Sequence, residues 1–170
     1  HVPHAVKDYR EILEDKEIKA VSVCTPNDTH AQIAIDCLNA GKNVLCEKPA
    51  AVNYELVRAM KDADRNGKIL NIGVVNRFNT AVNQIKQIID EGGLGKIYHI
   101  YCSFRAHRSI PGLGGQFTTK AKSGGGVLID WGVHFLDLIF YCIGLPKVLT
   151  VSGGTYGELG NDMRDYSYVD

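Results

Sequence analysis

Several features that mark other classes of protein are missing from this sequence of 170 residues. Lysine plus arginine and aspartate plus glutamate number 19 each, so the chain has no basic surplus to attract nucleic acid or an anionic membrane. The apolar stretch 127–143 is interrupted by Asp130, His134 and Asp137, and so falls short of the ~18 uninterrupted apolar residues of a membrane span. We therefore expect neither a nucleic-acid partner nor a membrane partner.

Cysteine usage does not fit a disulfide framework. The five cysteines contain no C-x-x-C pair, and their number is odd. Cys24 and Cys46 fall in apparent strands, which predicts that both are inert thiols of the core in a reducing compartment. The first residues also lack the charged, apolar and small-residue order of a secretion signal. We expect a cytoplasmic protein.

A glycine-rich G-x-G-x-x-G turn is missing as well. What the first half does contain is an alternation of apolar strands, predicted at 20–24, 43–47 and 69–75, with amphipathic helices between them. Continuous apolar strands joined by helical crossovers indicate a parallel sheet covered on both faces. Three such strands are half of a doubly wound sheet, so the fold is either unusually small or part of a longer chain.

The second half has a different pattern. After a helix at 80–91, residues 96–107 alternate cleanly, which predicts a long strand whose even-numbered side chains, from Tyr98 to Ala106, are buried against helices. A further strand is predicted near 147–152, in the same sheet. One apolar and one mixed face predict an α+β domain with a largely open-faced sheet. The mixed face, with Tyr101, is expected to mediate self-association into a homodimer or homotetramer.

The segment SGGGVLIDWGVHFLDLIFYCIG, residues 123–144, reads as one apolar helix with a polar stripe. Asp130, His134 and Asp137 are spaced i, i+4 and i+7, which places them on one face. A buried charge without a partner costs several kcal/mol, so the stripe must face water, partner groups, a metal or a substrate. The Asp-x-x-x-His pair alone supplies only two metal ligands, and we predict no metal.

Three further polar segments follow the three predicted strands. They read TPNDTH, EKP and NRFN, and the carboxyl ends of parallel strands are where ligands bind in such sheets. In order along the chain, CTPNDTH, EKP, NRFN and SGGGVLIDWGVHFLD resemble the Gfo/Idh/MocA family of NAD(P)-dependent oxidoreductases. The resemblance spans essentially the whole chain. It implies a fragment in which 1–76 are the C-terminal part of a dinucleotide-binding Rossmann domain and 77–170 begin a substrate-binding α+β domain.

The resemblance also implies a role for individual residues. Lys48, Asp130 and His134 match catalytic positions, with His134 as general base and Lys48 on the reacting oxygen. The resemblance also implies a substrate contact from Asp137, besides those of Lys48, Asp130 and His134, and a cis peptide bond before Pro49. For Arg105 two roles stay open, contact with the substrate and a solvated side chain. The positions that match contacts to NAD or NADP, besides Lys48, are Thr25, Pro26, Asn27, His30, Glu47, Asn76 and Arg77.

The implied activity is hydride transfer between the nicotinamide and a hydroxyl or carbonyl group of a sugar or cyclitol. Two alternatives stay open. One is an NAD-dependent glycosidase that works by transient oxidation, and the other is a sugar-sensing regulator of the same fold without enzymatic activity. The segment that distinguishes NAD from NADP follows the second strand of the dinucleotide fold and is absent from the sequence.

Overall fold

A computed structural model describes residues 4–64, 67–105 and 119–156. Its centre is a parallel sheet of three strands in the order β1-β2-β3. The strands are β1 Ala20–Val23, β2 Asn43–Cys46 and β3 Leu70–Ile72. The parallel sheet predicted for the first half is therefore present, with each strand shorter than its apolar segment.

Six α-helices accompany the sheet among the described residues. They are α1 Arg10–Glu14, α2 His30–Asn39, α3 Tyr54–Ala63, α4 Thr80–Asp90, α5 Lys120–Ser123 and α6 Val133–Ile143. The start of α3 is capped by Asn53, whose side chain accepts a hydrogen bond from the Leu56 amide. The start of α4 is capped by Asn79, whose side chain accepts hydrogen bonds from the Ala81 and Val82 amides. Two short 3₁₀ turns, Asn27–Thr29 and Val75–Phe78, follow β1 and β3.

One face of the sheet carries the core. Side chains of β1, β2 and β3 pack there against α2 and α3, and the fully buried residues are Val23, Ala31, Ala34, Cys37, Leu38, Val44, Cys46, Ala51 and Met60. The opposite face carries the cross-strand neighbours Ser22, Leu45 and Asn71, and Leu45 is 48% exposed. The expectation of a sheet covered on both faces is wrong for the part of the chain described, since both crossover helices lie on the same side.

The strand predicted at 96–107 is not formed over its described part, residues 96–105. Residues 96–105 and 144–156 have no regular secondary structure, and Tyr98 is 93% exposed, so the predicted pairing and the burial of the even-numbered set are both wrong. A strand exists only when a neighbour takes up its hydrogen bonds, and alternation in a sequence does not supply that neighbour. Residues 106–118, which include the end of the predicted strand, and residues 157–170 lie outside the described residues.

Cys24 also departs from its prediction. Cys46 is buried, and burial raises the pKa of its thiol to about 12, which fits an inert core residue. Cys24 instead is exposed, because β1 ends at Val23 and the next side chain falls on the uncovered face beside Ser22. All five cysteines are free.

The apolar segment near 123–144 is helical with an interruption. Helix α5 is capped at its C-terminus by Gly124, which has a φ of +82°, and a π-helical turn, Leu128–Gly132, leads into α6. By length and composition alone, the stretch Lys120–Ile143 could cross a membrane, contrary to our expectation from its polar residues. This is weak evidence, because the core helix of a soluble protein meets the same two criteria.

The turn at Gly124 is sterically closed to other residues. A Cβ at Gly124 would lie 2.8 Å from Cβ of Val52, and the positive φ is itself unfavourable for an L side chain. We expect Gly124→Ala to lower the free energy of unfolding by about 2 kcal/mol or more, the sum of overpacking and left-handed strain. Chemical denaturation measures this loss. Gly126→Ala is the matched control, since a Cβ there meets nothing within 4 Å, and an equal loss in both variants would contradict the steric argument.

Candidate active site

The three polar segments meet at the carboxyl edge of the sheet. Residues 25–27 follow β1, 47–49 follow β2 and 74–77 follow β3, and all three strands run in the same direction. The Lys48–Pro49 peptide bond is cis, as the resemblance implied. The site is therefore built on the ends of rigid strands rather than on long loops, which favours exact placement of its side chains.

Lys48 reaches from this edge to the π-helical turn. Its Nζ donates a hydrogen bond of 2.7 Å to Oδ1 of Asp130 and a second of 3.0 Å to the Asp130 carbonyl oxygen. Both side chains are half-buried, so the pair is partly shielded from water. π turns widen the helix by one residue and commonly occur at functional sites. Here the turn contains Asp130, whose carboxylate and carbonyl oxygen meet the same ammonium group.

His134 is buried one turn beyond Asp130. Its Nδ1 is inaccessible to solvent and has no hydrogen-bond partner among the described residues. Burial is the largest cause that lowers the pKa of His134 below its ordinary 6.5, and the positive charge of Lys48 lowers it further. The carboxylates of Asp130, Glu47 and Asp137 oppose this shift. The imidazole is therefore neutral at neutral pH and available to accept a proton.

The lowered pKa of His134 can be tested in the free protein. We expect the imidazole signals of His134 to titrate with a midpoint below 6.5 in an NMR pH series, with the assignment made from His134→Asn. Because the pKa falls on folding, the stabilisation of the neutral form is present above pH 6.5 and is lost as the pH falls through the lowered value. A midpoint at or above 6.5 would contradict burial as the dominant effect.

A second ion pair joins α6 to the segment after β3. Nε of Arg77 donates a hydrogen bond of 2.8 Å to Oδ2 of Asp137, and a terminal guanidinium nitrogen donates to Oδ1. The guanidinium also lies 5.2 Å from the ring centroid of Tyr141. This two-pronged bond raises the pKa of Arg77 and takes up both oxygens of Asp137. The two carboxylates of the stripe, Asp130 and Asp137, thus face partner groups, which is one of the possibilities that their spacing left open.

The segment after β1 is engaged by the protein itself. Nδ2 of Asn27 donates a hydrogen bond of 3.0 Å to the Ser123 carbonyl oxygen, which ties the first half of the chain to the start of the glycine turn. His30 is only 1% exposed, and its ring lies between the carbonyl oxygens of Thr25 and Pro49. The side chain of Glu47 accepts a hydrogen bond of 3.0 Å from the Lys48 amide. These contacts give the edge a defined shape.

The structure brings together the three residues that the resemblance named as catalytic. Lys48, Asp130 and His134 lie together, whereas Arg105 is exposed in the segment without regular structure. No group of three or more metal-ligating side chains comes together within the described ranges.

An aromatic cluster beside His134 escaped the sequence analysis. Phe104 stacks on Trp131 with ring centroids 4.6 Å apart and lies 5.1 Å from Phe135, and the Trp131 and His134 rings are 6.1 Å apart. The i, i+4 spacing of Trp131 and Phe135 was the one available signal, but Phe104 comes from a segment with no helical or strand context.

A parallel sheet with helical crossovers, whose strand ends meet a Lys–Asp pair and a buried histidine, is the arrangement expected of an oxidoreductase with an NAD-binding Rossmann fold. Two family models agree with this class. The oxidoreductase family with an NAD-binding Rossmann fold, GFO/IDH/MocA, matches residues 1–74, and the GFO/IDH/MocA C-terminal domain matches residues 82–169. The chain belongs to the GFO/IDH/MocA family.

Characterised relatives act on sugars and inositols. The chain is 38% identical to D-glucoside 3-dehydrogenase of Escherichia coli K12 over 82% of its length, and 32% identical to scyllo-inositol 2-dehydrogenase (NAD(+)) of Bacillus subtilis 168 over 96%. The structure of levoglucosan dehydrogenase in complex with NADH and levoglucosan aligns with 82% of the chain at 32% identity and a TM-score of 0.70. The chain spans 40%, 46% and 38% of these three proteins, respectively.

The residues present fit one end of a nicotinamide cofactor. The Glu47 carboxylate beside Gly73 can accept hydrogen bonds from ribose hydroxyl groups, and the neutral, buried His134 lies near Glu47 and Lys48. The glycine-rich turn that holds the pyrophosphate in Rossmann folds is absent from the sequence.

Proposed function

We propose that the full-length protein is an NAD(P)-dependent dehydrogenase that oxidises a carbinol carbon of a sugar or cyclitol. The observation that carries this proposal is the meeting of Lys48 with Asp130 next to a buried, neutral His134. An ammonium group and a neutral imidazole near the same position can stabilise an alkoxide and accept its proton. A nicotinamide, when bound, supplies the acceptor for the hydride that leaves the same carbon.

The proton path is assigned to His134 and Lys48. Nε2 of His134 accepts the hydroxyl proton, because Nδ1 is closed off from solvent. The Lys48 ammonium donates a hydrogen bond to the oxygen on which negative charge develops, and the Asp130 carboxylate keeps that ammonium in place. The carbon loses one hydride and its oxygen one proton, so a ketone forms. Reduction of a ketone follows the same path in reverse.

The other residues are proposed to shape the two ligand positions. The resemblance assigns cofactor contacts to Thr25, Pro26, Asn27, His30, Glu47, Asn76 and Arg77. The position of the segments 25–27, 47–49 and 74–77 at the ends of the three strands supports this assignment for six of these residues. His30 lies in α2, buried between two backbone oxygens, and would act on the cofactor only through the segments that it holds. Asp137 would act on the substrate indirectly through its pair with Arg77, and Arg105 is retained as a substrate contact of the full-length protein. Family models that end at 74 and begin at 82 support a division into domains 1–76 and 77–170.

Net reduction of the cofactor decides between the three activities. Full-length protein incubated with NAD or NADP and a panel of glucosides, levoglucosan and inositols should accumulate reduced nicotinamide in proportion to the ketone formed. Glycosidic cleavage without accumulation would favour transient oxidation, and sugar binding without turnover would favour the regulator. Lys48 and His134 are both present, which supports an enzyme over a sensor.

Assembly remains a proposal that rests on the family resemblance. We propose a cytoplasmic homodimer or homotetramer with Tyr101, an exposed residue, in or near the contact. Tyr101→Glu should then shift full-length protein toward the monomer in sedimentation analysis at micromolar concentration, because a carboxylate would be desolvated in the contact. Equal assembly of variant and wild type would exclude this surface.

A further inference from the structure

We propose that His30 is a positioning residue that carries protons on both ring nitrogens and holds the segments after β1 and β2 at a set distance. The imidazole lies between two backbone oxygens. Nε2 is 2.7 Å from the Thr25 carbonyl oxygen and Nδ1 is 2.8 Å from the Pro49 carbonyl oxygen. The effect on catalysis rests on the proposed function, because it acts through Lys48.

The chemistry of the two partners requires two protons. A carbonyl oxygen only accepts hydrogen bonds, and a neutral imidazole has a single N–H. One tautomer would therefore satisfy one carbonyl and direct a nitrogen lone pair at the other. His30 is 1% exposed, so water cannot relieve that contact. Only the imidazolium form makes both hydrogen bonds at the observed distances.

Burial and the helix dipole both disfavour a positive charge at this position, whereas the hydrogen bonds favour it. His30 is the first residue of α2, where the helix dipole disfavours a positive charge. Hydrogen bonds from a charged donor are about twice as strong as those between neutral groups, and His30 makes two of them. A buried carbonyl left without a donor is also costly. The geometry of two acceptors, one at each ring nitrogen, therefore carries the assignment of the imidazolium.

The consequence for the site follows from which residues are held. Pro49 directly follows Lys48, so one bond of His30 fixes the backbone next to the ammonium that meets Asp130. Thr25 opens the segment whose Asn27 bonds to the Ser123 carbonyl oxygen. His30 thus joins the segments after β1 and β2. These two segments contact Ser123 and Asp130, respectively, in the second half of the chain.

The number of ring protons is the direct test. In ¹⁵N-labelled full-length protein near pH 7, we expect two slowly exchanging ring N–H signals that correlate with His30 and vanish in His30→Gln. A non-protonated ring nitrogen of His30 under these conditions would overturn the proposal. This measurement needs neither substrate nor turnover, so it stands apart from the proposed function.

The positioning effect is tested with His30→Gln. This variant replaces the two ring nitrogens by a single amide nitrogen, which cannot take the place of both ring nitrogens at once. We expect kcat to fall about tenfold, as displaced catalytic groups cause, while the affinity for NADH, measured by fluorescence, changes far less. Amide hydrogen exchange should increase in residues 46–52 and remain unchanged in α3. His99→Gln, at an exposed histidine, is the matched control. Wild-type kcat and exchange in His30→Gln would contradict the role, and if the variant does not fold, the proton count in the wild type decides alone.

Discussion

Full-length protein with His134→Ala should lose turnover by about 10²-fold or more while it retains its affinity for the cofactor. This is the range expected when a general base is removed. The reason is that His134 is the one neutral, buried imidazole beside the Lys48–Asp130 pair among the described residues. Steady-state kinetics gives the loss in kcat, and NADH fluorescence gives the affinity.

Added imidazole sharpens this experiment. The truncation leaves a space of the size of the missing ring. Added free imidazole should therefore restore part of the lost turnover of His134→Ala, and it should not raise the turnover of the wild type. His99→Ala removes an exposed histidine and is the control for the loss of an imidazole outside the site. Wild-type turnover in His134→Ala would remove the base from the proposed mechanism.

Lys48→Ala should cause a loss of the same order, about 10²-fold or more, for a different reason. The variant lacks the charge that stabilises the developing oxyanion, and it leaves the Asp130 carboxylate without its ammonium partner. The positive charge of Lys48 lowers the pKa of His134, so the acidic limb of the pH–rate profile should move toward higher pH in the variant. Rate profiles at saturating cofactor measure both effects.

A matched lysine separates this result from a general loss of charge. Lys86 forms an i, i+4 ion pair with Asp90 within α4, at a distance of 2.9 Å between Nζ and Oδ2, and its Nζ lies 5.4 Å from the ring centroid of Tyr141. Lys86→Ala should leave kcat and the pH profile unchanged, because exposed i, i+4 pairs contribute little. An unshifted profile in Lys48→Ala would mean that Lys48 does not act on His134.

Local patterns predicted the first half of the fold well. The apolar segments at 20–24 and 43–47 became β1 and β2, and Asn53 caps α3, because each of these features depends on residues close in sequence. The long strand at 96–107 failed because its hydrogen-bonding neighbour cannot be read from its own alternation. Cys24 failed because the end of a strand is uncertain by one or two residues, and one residue decides which face is covered.

The candidate site was predictable in its members but not in its contacts. Spacing placed Asp130 and His134 on one helical face, and the resemblance named Lys48. Neither could show that Asp137 gives both of its oxygens to Arg77, or that His30 bonds to the backbone on both sides. Such contacts depend on how segments far apart in sequence approach one another, and no periodicity encodes that approach.

The sequence separation of the polar contacts has a consequence for folding kinetics. Lys48 and Asp130 are 82 residues apart, Arg77 and Asp137 are 60 apart, and Asn27 and Ser123 are 96 apart. A contact between residues so far apart in sequence forms only after a long loop of chain has closed, and the closure costs conformational entropy. Such contacts therefore form late in folding. The sheet with α2 and α3 can form first through shorter crossovers. The Lys48–Asp130 pair would then arise only when the π turn and α6 dock, and loss of docking would disassemble the site while the sheet remains folded.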